Sequence, residues 1–122
     1  MQLLLIHYPK CSTCQKARRW LEAHSIPFES RHIAEEPPTR QELARWAQLL
    51  PLKRLWNTSG QRYRQLGLSQ RLPEMSPAEQ LDLLATDGML VKRPVLVGED
   101  FVLTGFREEE WSAALSQAPK AG

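Results

Sequence analysis

The feature that most constrains the fold is a Cys-x-x-Cys motif, Cys11 and Cys14, placed between an apolar run and a helical pattern. The run Leu3–Ile6 has the length of a buried strand and is far too short to span a membrane. After the motif, apolar residues recur at helical spacing as far as Leu21. The two cysteines of the protein therefore lie where a buried strand passes into a helix.

The start of a helix favours a reactive thiol. The first backbone N–H groups of a helix have no partner within it, and the helix dipole places partial positive charge there. Both effects lower the pKa of a thiol, and the thiolate is the nucleophilic form. Ser12 and Gln15 have capping-box spacing, so we expect the helix to begin at Ser12 or one residue earlier. Either start leaves Cys11 at the exposed tip as the attacking sulfur, beside Lys10, and Cys14 in the first turn as the resolving sulfur.

The cysteines have three other conceivable uses: as small core residues, as half of a zinc site, or as a structural disulfide. Zinc takes four ligands, but the sequence has no second cysteine pair, and its three histidines lack the spacing of a ligand pair. A structural disulfide is uncommon in an intracellular protein. The position between strand and helix favours redox or nucleophilic use, and no metal site is expected.

Length and composition predict a single soluble domain over residues 1–122. Hydrophobic residues make up 42% of the chain and charged residues 25%, which is typical of globular proteins. The net charge is +2 and the basic residues are dispersed among acids, so direct nucleic-acid binding is not expected. The absence of a signal-peptide pattern and of a long apolar run predicts a cytoplasmic protein without membrane contact.

The middle of the chain is predicted to be a helical insertion at approximately residues 38–90. Before it, Phe28–Ile33 is a weak strand that would run parallel to the first strand. Within it, capping boxes at Thr39 and Ser76 each predict a helix start. Gly88 is expected to close the second of these helices as a left-handed cap.

Sheet character returns after the insertion. Val95–Val97 and Phe101–Leu103 are rich in β-forming residues and predict a short hairpin. Glu108 then opens a last helix, and Gln117–Gly122 is expected to be a frayed tail. The element order, with Cys-x-x-Cys at the first strand–helix junction, predicts an α/β thioredoxin-like fold. In that fold a mixed sheet is flanked by helices, and here a helical insertion separates the strand–helix–strand half from the hairpin–helix half.

Six stretches, in order along the chain, form a recognisable pattern: Tyr8–Ala17, Ile33–Pro38, Asn57–Gly60, Tyr63–Leu68, Asp87–Pro94 and Gly105–Phe106. Together they resemble the ArsC family of glutaredoxin-linked arsenate reductases and their Spx-like relatives. The resemblance implies a thioredoxin fold with a helical insertion and a nucleophilic Cys11. It also implies a cis Arg93–Pro94 bond with the proline facing the cysteine loop, and an Arg93 that binds the oxyanion of a substrate or of a glutathione adduct.

The resemblance also shows departures from the family pattern. Arsenate reductases of this type place three arginines around the nucleophile, and in this sequence only one of the three positions clearly holds an arginine, Arg93. Asn57 stands at the first of the three positions. Gly105 stands at the third, with Arg107 two residues away. The expected catalytic residues are Cys11, Cys14 and Arg93, and the expected substrate-binding residues are Lys10, Ser12, Thr13, Asn57 and Pro94.

These residues favour a thiol-dependent oxidoreductase acting on a small oxyanion or a disulfide. Cys14 or glutathione would resolve the adduct on Cys11, and a glutaredoxin or thioredoxin would restore the dithiol, with no tightly bound cofactor. The alternative is an Spx-like redox regulator that binds RNA polymerase. His7 is either a structural histidine or a proton donor at the cysteine loop. Core packing is expected for three tryptophans, Trp20, Trp46 and Trp111. The role of Trp56 is an open question.

Overall fold

The computed structural model describes residues 2–117. In chain order its elements are β1 (Leu4–His7), α1 (Ser12–Ala23), β2 (Glu29–His32), α2 (Arg40–Leu49), α3 (Gln61–Gln65), α4 (Leu68–Arg71), α5 (Pro77–Leu84), β3 (Val95–Val97), β4 (Val102–Thr104) and α6 (Glu108–Gln117). Short 3₁₀ helices lie at Leu52–Leu55, Leu72–Glu74 and Gly88–Leu90. No helix in this part of the chain is long and apolar enough to cross a membrane.

The four strands form one mixed sheet in the order β2-β1-β3-β4. β1 runs parallel to β2, with His7 opposite His32 at their carboxyl ends. β3 runs antiparallel to β1, with Ile6 opposite Val95, and β4 runs antiparallel to β3. A strand–helix–strand half and a hairpin–helix half thus share one sheet. This is the thioredoxin-like fold that the sequence predicts.

The described chain divides into two compact units. One combines residues 2–32 with residues 93–117 and holds the sheet, α1 and α6; the other is Ile33–Lys92 and holds α2 to α5. The expected insertion at approximately residues 38–90 falls within the second unit. The single domain expected over residues 1–122 stays a prediction.

The core of the first unit explains why β1 is central. Leu5 from β1 and Leu96 from β3 pack with Ala17 and Leu21 of α1 and with Trp111 of α6, and all five are fully buried. The apolar run that predicts β1 is therefore buried by helices from both halves of the fold. The half-buried Trp20 also packs against this cluster. The expected core roles of Trp20 and Trp111 are confirmed.

The second unit begins its helices as the sequence predicts. Thr39 Oγ1 accepts a hydrogen bond from the Glu42 N–H at 3.0 Å, and Glu42 Oε1 accepts one from the Thr39 N–H at 2.9 Å. Ser76 and Glu79 form the same reciprocal pair before α5. α2 packs against α5, and Trp46 of α2 is buried, as expected.

Trp56 also belongs to the core of the second unit. It is 1% exposed, and its Nε1 donates a hydrogen bond to Gln80 Oε1 at 3.1 Å. An antiparallel bridge pairs Trp56 with Val91. On either side of it the Asn57 N–H donates to the Leu90 carbonyl and the Lys92 N–H to the Leu55 carbonyl, each at 2.8 Å. The open question about Trp56 is therefore answered by packing.

The expected role of Gly88 is wrong. α5 ends at Leu84 with Ala85 as its C-cap, and Gly88 instead begins a 3₁₀ helix whose N-cap is Asp87. A Cβ at Gly88 would collide with the backbone carbonyl oxygen of Ile33. The glycine is thus required by a close backbone approach rather than by a left-handed conformation.

Two element boundaries differ slightly from their predictions. The hairpin strand expected from Phe101 begins at Val102, and the weak strand expected over Phe28–Ile33 spans Glu29–His32. α6 extends to Gln117, where the frayed tail was expected to begin. The rest of that tail, residues 118–122, lies outside the described residues.

Candidate active site

The sulfur of Cys11 caps α1. α1 begins at Ser12, one of the two predicted starts, and its N-cap is Cys11, whose Sγ accepts a hydrogen bond from the Cys14 N–H at 3.3 Å. The expected pairing of Ser12 with Gln15 is wrong, because the cap lies one residue earlier and Gln15 Nε2 donates to the Pro9 carbonyl at 2.8 Å. An N-cap acceptor satisfies an otherwise unpaired helix N–H. The capping acceptor here is the expected nucleophile.

The surroundings of Cys11 favour its thiolate. Burial opposes ionisation of the half-buried thiol, but hydrogen bonds from the Cys14 side chain and backbone, together with the charge and a hydrogen bond of Arg93, lower its pKa overall. Hydrogen bonds to the charged form and a nearby opposite charge both stabilise a thiolate. Cys11 is therefore the more acidic of the two cysteines.

Cys14 is held as a neutral thiol. It is 2% exposed, and burial together with its hydrogen bond to Cys11 raises its pKa to about 12. The two thiols share a hydrogen bond, in which the Cys14 S–H donates to the Cys11 sulfur. This bond stabilises the Cys11 thiolate and disfavours ionisation of Cys14. Both cysteines are unbridged in this structure. The pair thus combines a partly accessible, more acidic thiol with a buried partner thiol.

Arg93 faces this pair with unused donors. The Arg93–Pro94 bond is cis, as expected. The guanidinium carbon lies 5.0 Å from the centroid of the Tyr8 ring. Its Nε and Nη1 are buried and have no hydrogen-bond partner among the described residues. A buried donor without a partner is costly unless a ligand supplies the acceptor.

Tyr8 is a site residue that the sequence reasoning missed. Besides the contact of its ring with Arg93, its carbonyl accepts a hydrogen bond from the Cys11 N–H at 3.0 Å. Its ring also meets His32 edge to face, with 5.6 Å between the centroids. The available signal was its position, directly after β1 and within the loop that carries the nucleophile.

The expected substrate-binding residues fall into two groups. Lys10, Ser12 and Thr13 are exposed on the cysteine loop and the first turn of α1. Pro94 is buried, and its carbonyl accepts a hydrogen bond from the Gly105 N–H at 2.9 Å. The binding roles of these residues stay predictions.

Asn57 belongs to the second unit. There its Nδ2 donates to the Met89 carbonyl at 3.4 Å. This hydrogen bond lies beside the backbone pairing of residues 55–57 with residues 90–92. The structure thus shows a structural use of Asn57, and its expected binding role stays a prediction.

His7 is placed to remain neutral. Burial, the charge of Arg18 and the charge of His32 together lower its pKa. A neutral imidazole in this position can accept or donate a hydrogen bond but adds no cationic charge to the site. Among residues 2–117, no group of three or more His, Cys, Asp and Glu side chains is placed to hold a metal ion.

Comparison with known proteins identifies the family. The family model described as "ArsC family" matches residues 6–114. The chain belongs to the ArsC family. A solved structure of an ArsC-family-related protein from Bacteroides fragilis is 50% identical, with a TM-score of 0.90, covering 93% of this chain and 97% of that one. A protein from Streptococcus mutans described as a possible arsenate reductase is 40% identical, with a TM-score of 0.83, covering 90% of this chain and 97% of that one.

Relatives of this ArsC-family chain also include regulators. The global transcriptional regulator Spx of Enterococcus faecalis is 31% identical over 110 residues, covering 88% of this chain and 82% of its own. The uncharacterized protein YusI of Bacillus subtilis is 47% identical over 113 residues, covering 91% of this chain and 96% of its own. The predicted resemblance to this family and to its Spx-like members is confirmed.

Proposed function

We propose that this ArsC-family protein is a thiol-dependent reductase of a small oxyanion or a disulfide, with Cys11 as nucleophile. The observation that carries the proposal is the guanidinium of Arg93, which stabilises the Cys11 thiolate and keeps two buried nitrogen donors without partners among the described residues. A planar guanidinium presents several N–H donors in one plane, which suits an oxyanion or a carboxylate.

The proposed reaction uses two thiols and transfers two electrons. With a disulfide, the Cys11 thiolate attacks one sulfur and releases the other half as a thiolate. Cys14 then gives up its proton and attacks Cys11 Sγ, releasing the second thiolate and leaving a Cys11–Cys14 disulfide. With arsenate, the Cys11 sulfur bonds to arsenic with loss of water, and attack on that sulfur by a second thiol releases arsenite.

The pKa values of the two cysteines support these roles. The attacking sulfur has the lowered pKa, while the second thiol is kept neutral until the adduct forms. Once the charge on Cys11 is lost to the adduct, the hydrogen bond that disfavours ionisation of Cys14 is lost too. Glutathione can take the place of Cys14 as the second thiol. A glutaredoxin or thioredoxin would then restore the dithiol, with no tightly bound cofactor, in the cytoplasm.

The binding roles are assigned on the same basis. Arg93 is proposed to hold the anion, Lys10 to add positive charge, and the backbone N–H groups of Ser12 and Thr13 to donate at the start of α1. Pro94 would form one wall beside Arg93. Asn57 is proposed to take the place of the first family arginine.

The test is consumption of NADPH by the reduced protein with glutathione, glutaredoxin and glutathione reductase. Arsenate and a small disulfide are supplied in separate reactions. We expect turnover with at least one substrate, loss of that turnover in Cys11→Ser, and a large increase of KM in Arg93→Met. Turnover unchanged in Cys11→Ser, or none with either substrate, would overturn the proposal.

A second candidate is a redox-sensing regulator that binds RNA polymerase. The observation that favours it is the 31% identity to a protein named as the global transcriptional regulator Spx. The same cysteine pair would then act as a switch rather than as a turnover site. This candidate gains support if the protein shows no turnover and binds purified RNA polymerase only after diamide forms the Cys11–Cys14 disulfide.

A further inference from the structure

The guanidinium of Arg93 hydrogen-bonds to Cys11 and also lies against an aromatic ring. Two of its three nitrogen atoms, Nε and Nη1, have no hydrogen-bond partner among the described residues, so hydrogen bonds through those atoms do not hold it. The Tyr8 ring lies against it, with the guanidinium carbon 5.0 Å from the ring centroid. That separation is within the range of a cation–π contact.

Tyr8 is itself well anchored. It directly follows β1, whose parallel register with β2 sets His7 opposite His32. This pairing brings the His32 ring to the Tyr8 ring, at an interplanar angle of 82°. The backbone of Tyr8 accepts from the Cys11 N–H and also makes a hydrogen bond with Cys14. Tyr8 therefore contacts Arg93 through its ring and both cysteines through its backbone.

We propose that Tyr8 is the positioning residue for Arg93. The guanidinium carbon lies over the Tyr8 ring, which takes up no hydrogen-bond acceptor, and Nε and Nη1 have no hydrogen-bond partner among the described residues. Tyr8 thus orients the group without using the donors that bind a small oxyanion or carboxylate beside Cys11. This inference rests on the proposed function of Arg93.

The experiment measures how arsenate protects Cys11 from iodoacetamide at constant ionic strength, with glutathione absent. The rate of alkylation against pH also gives the pKa of Cys11. Tyr8→Phe should resemble the wild type because the ring is kept. Tyr8→Leu should need about 3- to 10-fold more arsenate for half-protection, as expected for a lost cation–π contact, and should raise the pKa of Cys11.

A fluorinated ring separates a positioning role from simple packing. Pentafluorophenylalanine at position 8 keeps the shape of phenylalanine but reverses the charge distribution of the ring face, so it should behave like Tyr8→Leu. Tyr63 provides a matched control: it is also half-buried and edge-on to an aromatic ring, but it lies in the second unit. Tyr63→Leu should leave both readouts unchanged.

The outcomes distinguish this inference from the proposed function. If Arg93→Met neither weakens protection nor raises the pKa of Cys11, the proposed role of Arg93 fails and this inference fails with it. If Arg93→Met does both, but Tyr8→Leu and the fluorinated variant match Tyr8→Phe, the role of Tyr8 alone is overturned. Equal losses in Tyr8→Phe and Tyr8→Leu would also overturn it, because the phenol rather than the ring face would then be responsible.

Discussion

At the scale of single residues, two cysteine side chains three positions apart have pKa values shifted in opposite directions. Cys11 accepts hydrogen bonds at the helix end and faces Arg93, which together outweigh the effect of burial. Cys14 is enclosed in the first turn of α1, and burial raises its pKa. Hydrogen bonding and burial, which differ between the two thiols, make Cys11 the more acidic of them and so support the proposal that Cys11 attacks.

The first prediction concerns the pH dependence of alkylation. A lowered pKa means that Cys11 remains a thiolate as the pH falls below the range of an ordinary thiol, so its alkylation rate should reach a plateau at a lower pH than that of free cysteine. Cys14, with a pKa of about 12, should stay unmodified in the native protein at pH 9. Tandem mass spectrometry of the peptide that contains both cysteines measures each rate.

Cys14→Ala supplies the control for this prediction. Removing the Cys14 thiol takes away one hydrogen bond to the Cys11 sulfur but leaves the bond from the backbone N–H, so the alkylation profile of Cys11 should move to higher pH without reaching that of free cysteine. A wild-type profile like that of free cysteine, or faster alkylation of Cys14 than of Cys11, would contradict the assigned roles.

At the scale of secondary-structure elements, two of the helices begin with the side-chain cap that the local sequence predicts, whereas the helix at the candidate site does not. α2 and α5 begin with complete capping boxes, at Thr39 and Ser76. α1 begins with a cysteine as its cap, although Ser12 stands next to it. The helix that carries the site thus gives up a strong side-chain cap and places a sulfur at its positive end.

The second prediction compares these helix starts by urea unfolding. Thr39→Ala should lower the free energy of unfolding by about 1 kcal/mol, since the acceptor for the Glu42 N–H is lost. Ser12→Ala should change it by less than about 0.5 kcal/mol, because this exposed serine lies inside the helix start and is not its cap. A loss in Ser12→Ala as large as that in Thr39→Ala would show that the cysteine is not the cap.

At the scale of the whole molecule, distant segments of the chain meet through close backbone contacts. In the second unit, residues 55–57 from its interior pair with residues 90–92 at its end. Gly88 stands just before this pairing, against the carbonyl of Ile33 at the start of the unit. The packing of the unit therefore requires a residue without a side chain at position 88.

The third prediction tests that close approach. Gly88→Ala should lower the urea midpoint by an amount equivalent to about 1–3 kcal/mol, because its Cβ would collide with the carbonyl oxygen of Ile33. Gly67→Asn is the control: Gly67 has φ 62° and open space around its Cβ position, and asparagine tolerates that conformation. Equal stability of Gly88→Ala and wild type would contradict the packing described here.

The sequence by itself predicted the strands and most of the longer helices, and it singled out Cys11 as the expected nucleophile. The Leu3–Ile6 run, the Cys-x-x-Cys spacing and the capping boxes at Thr39 and Ser76 are local patterns, and local backbone and burial preferences are enough to predict what they form. The family resemblance added the cis bond before Pro94. The same resemblance predicts a site role for Arg93.

Only the tertiary structure decided which residue caps α1, what holds Arg93 and why Gly88 is a glycine. Two of these depend on groups that are distant in sequence: the Tyr8 ring lies against Arg93, and the Ile33 carbonyl lies against Gly88. The third depends on a choice between neighbours, the Cys11 sulfur and the Ser12 hydroxyl. The spacing of residues along the sequence predicts local structure, but it does not predict the distance between residues that are far apart in the sequence. Packing sets those distances, and with them the electrostatics of the site.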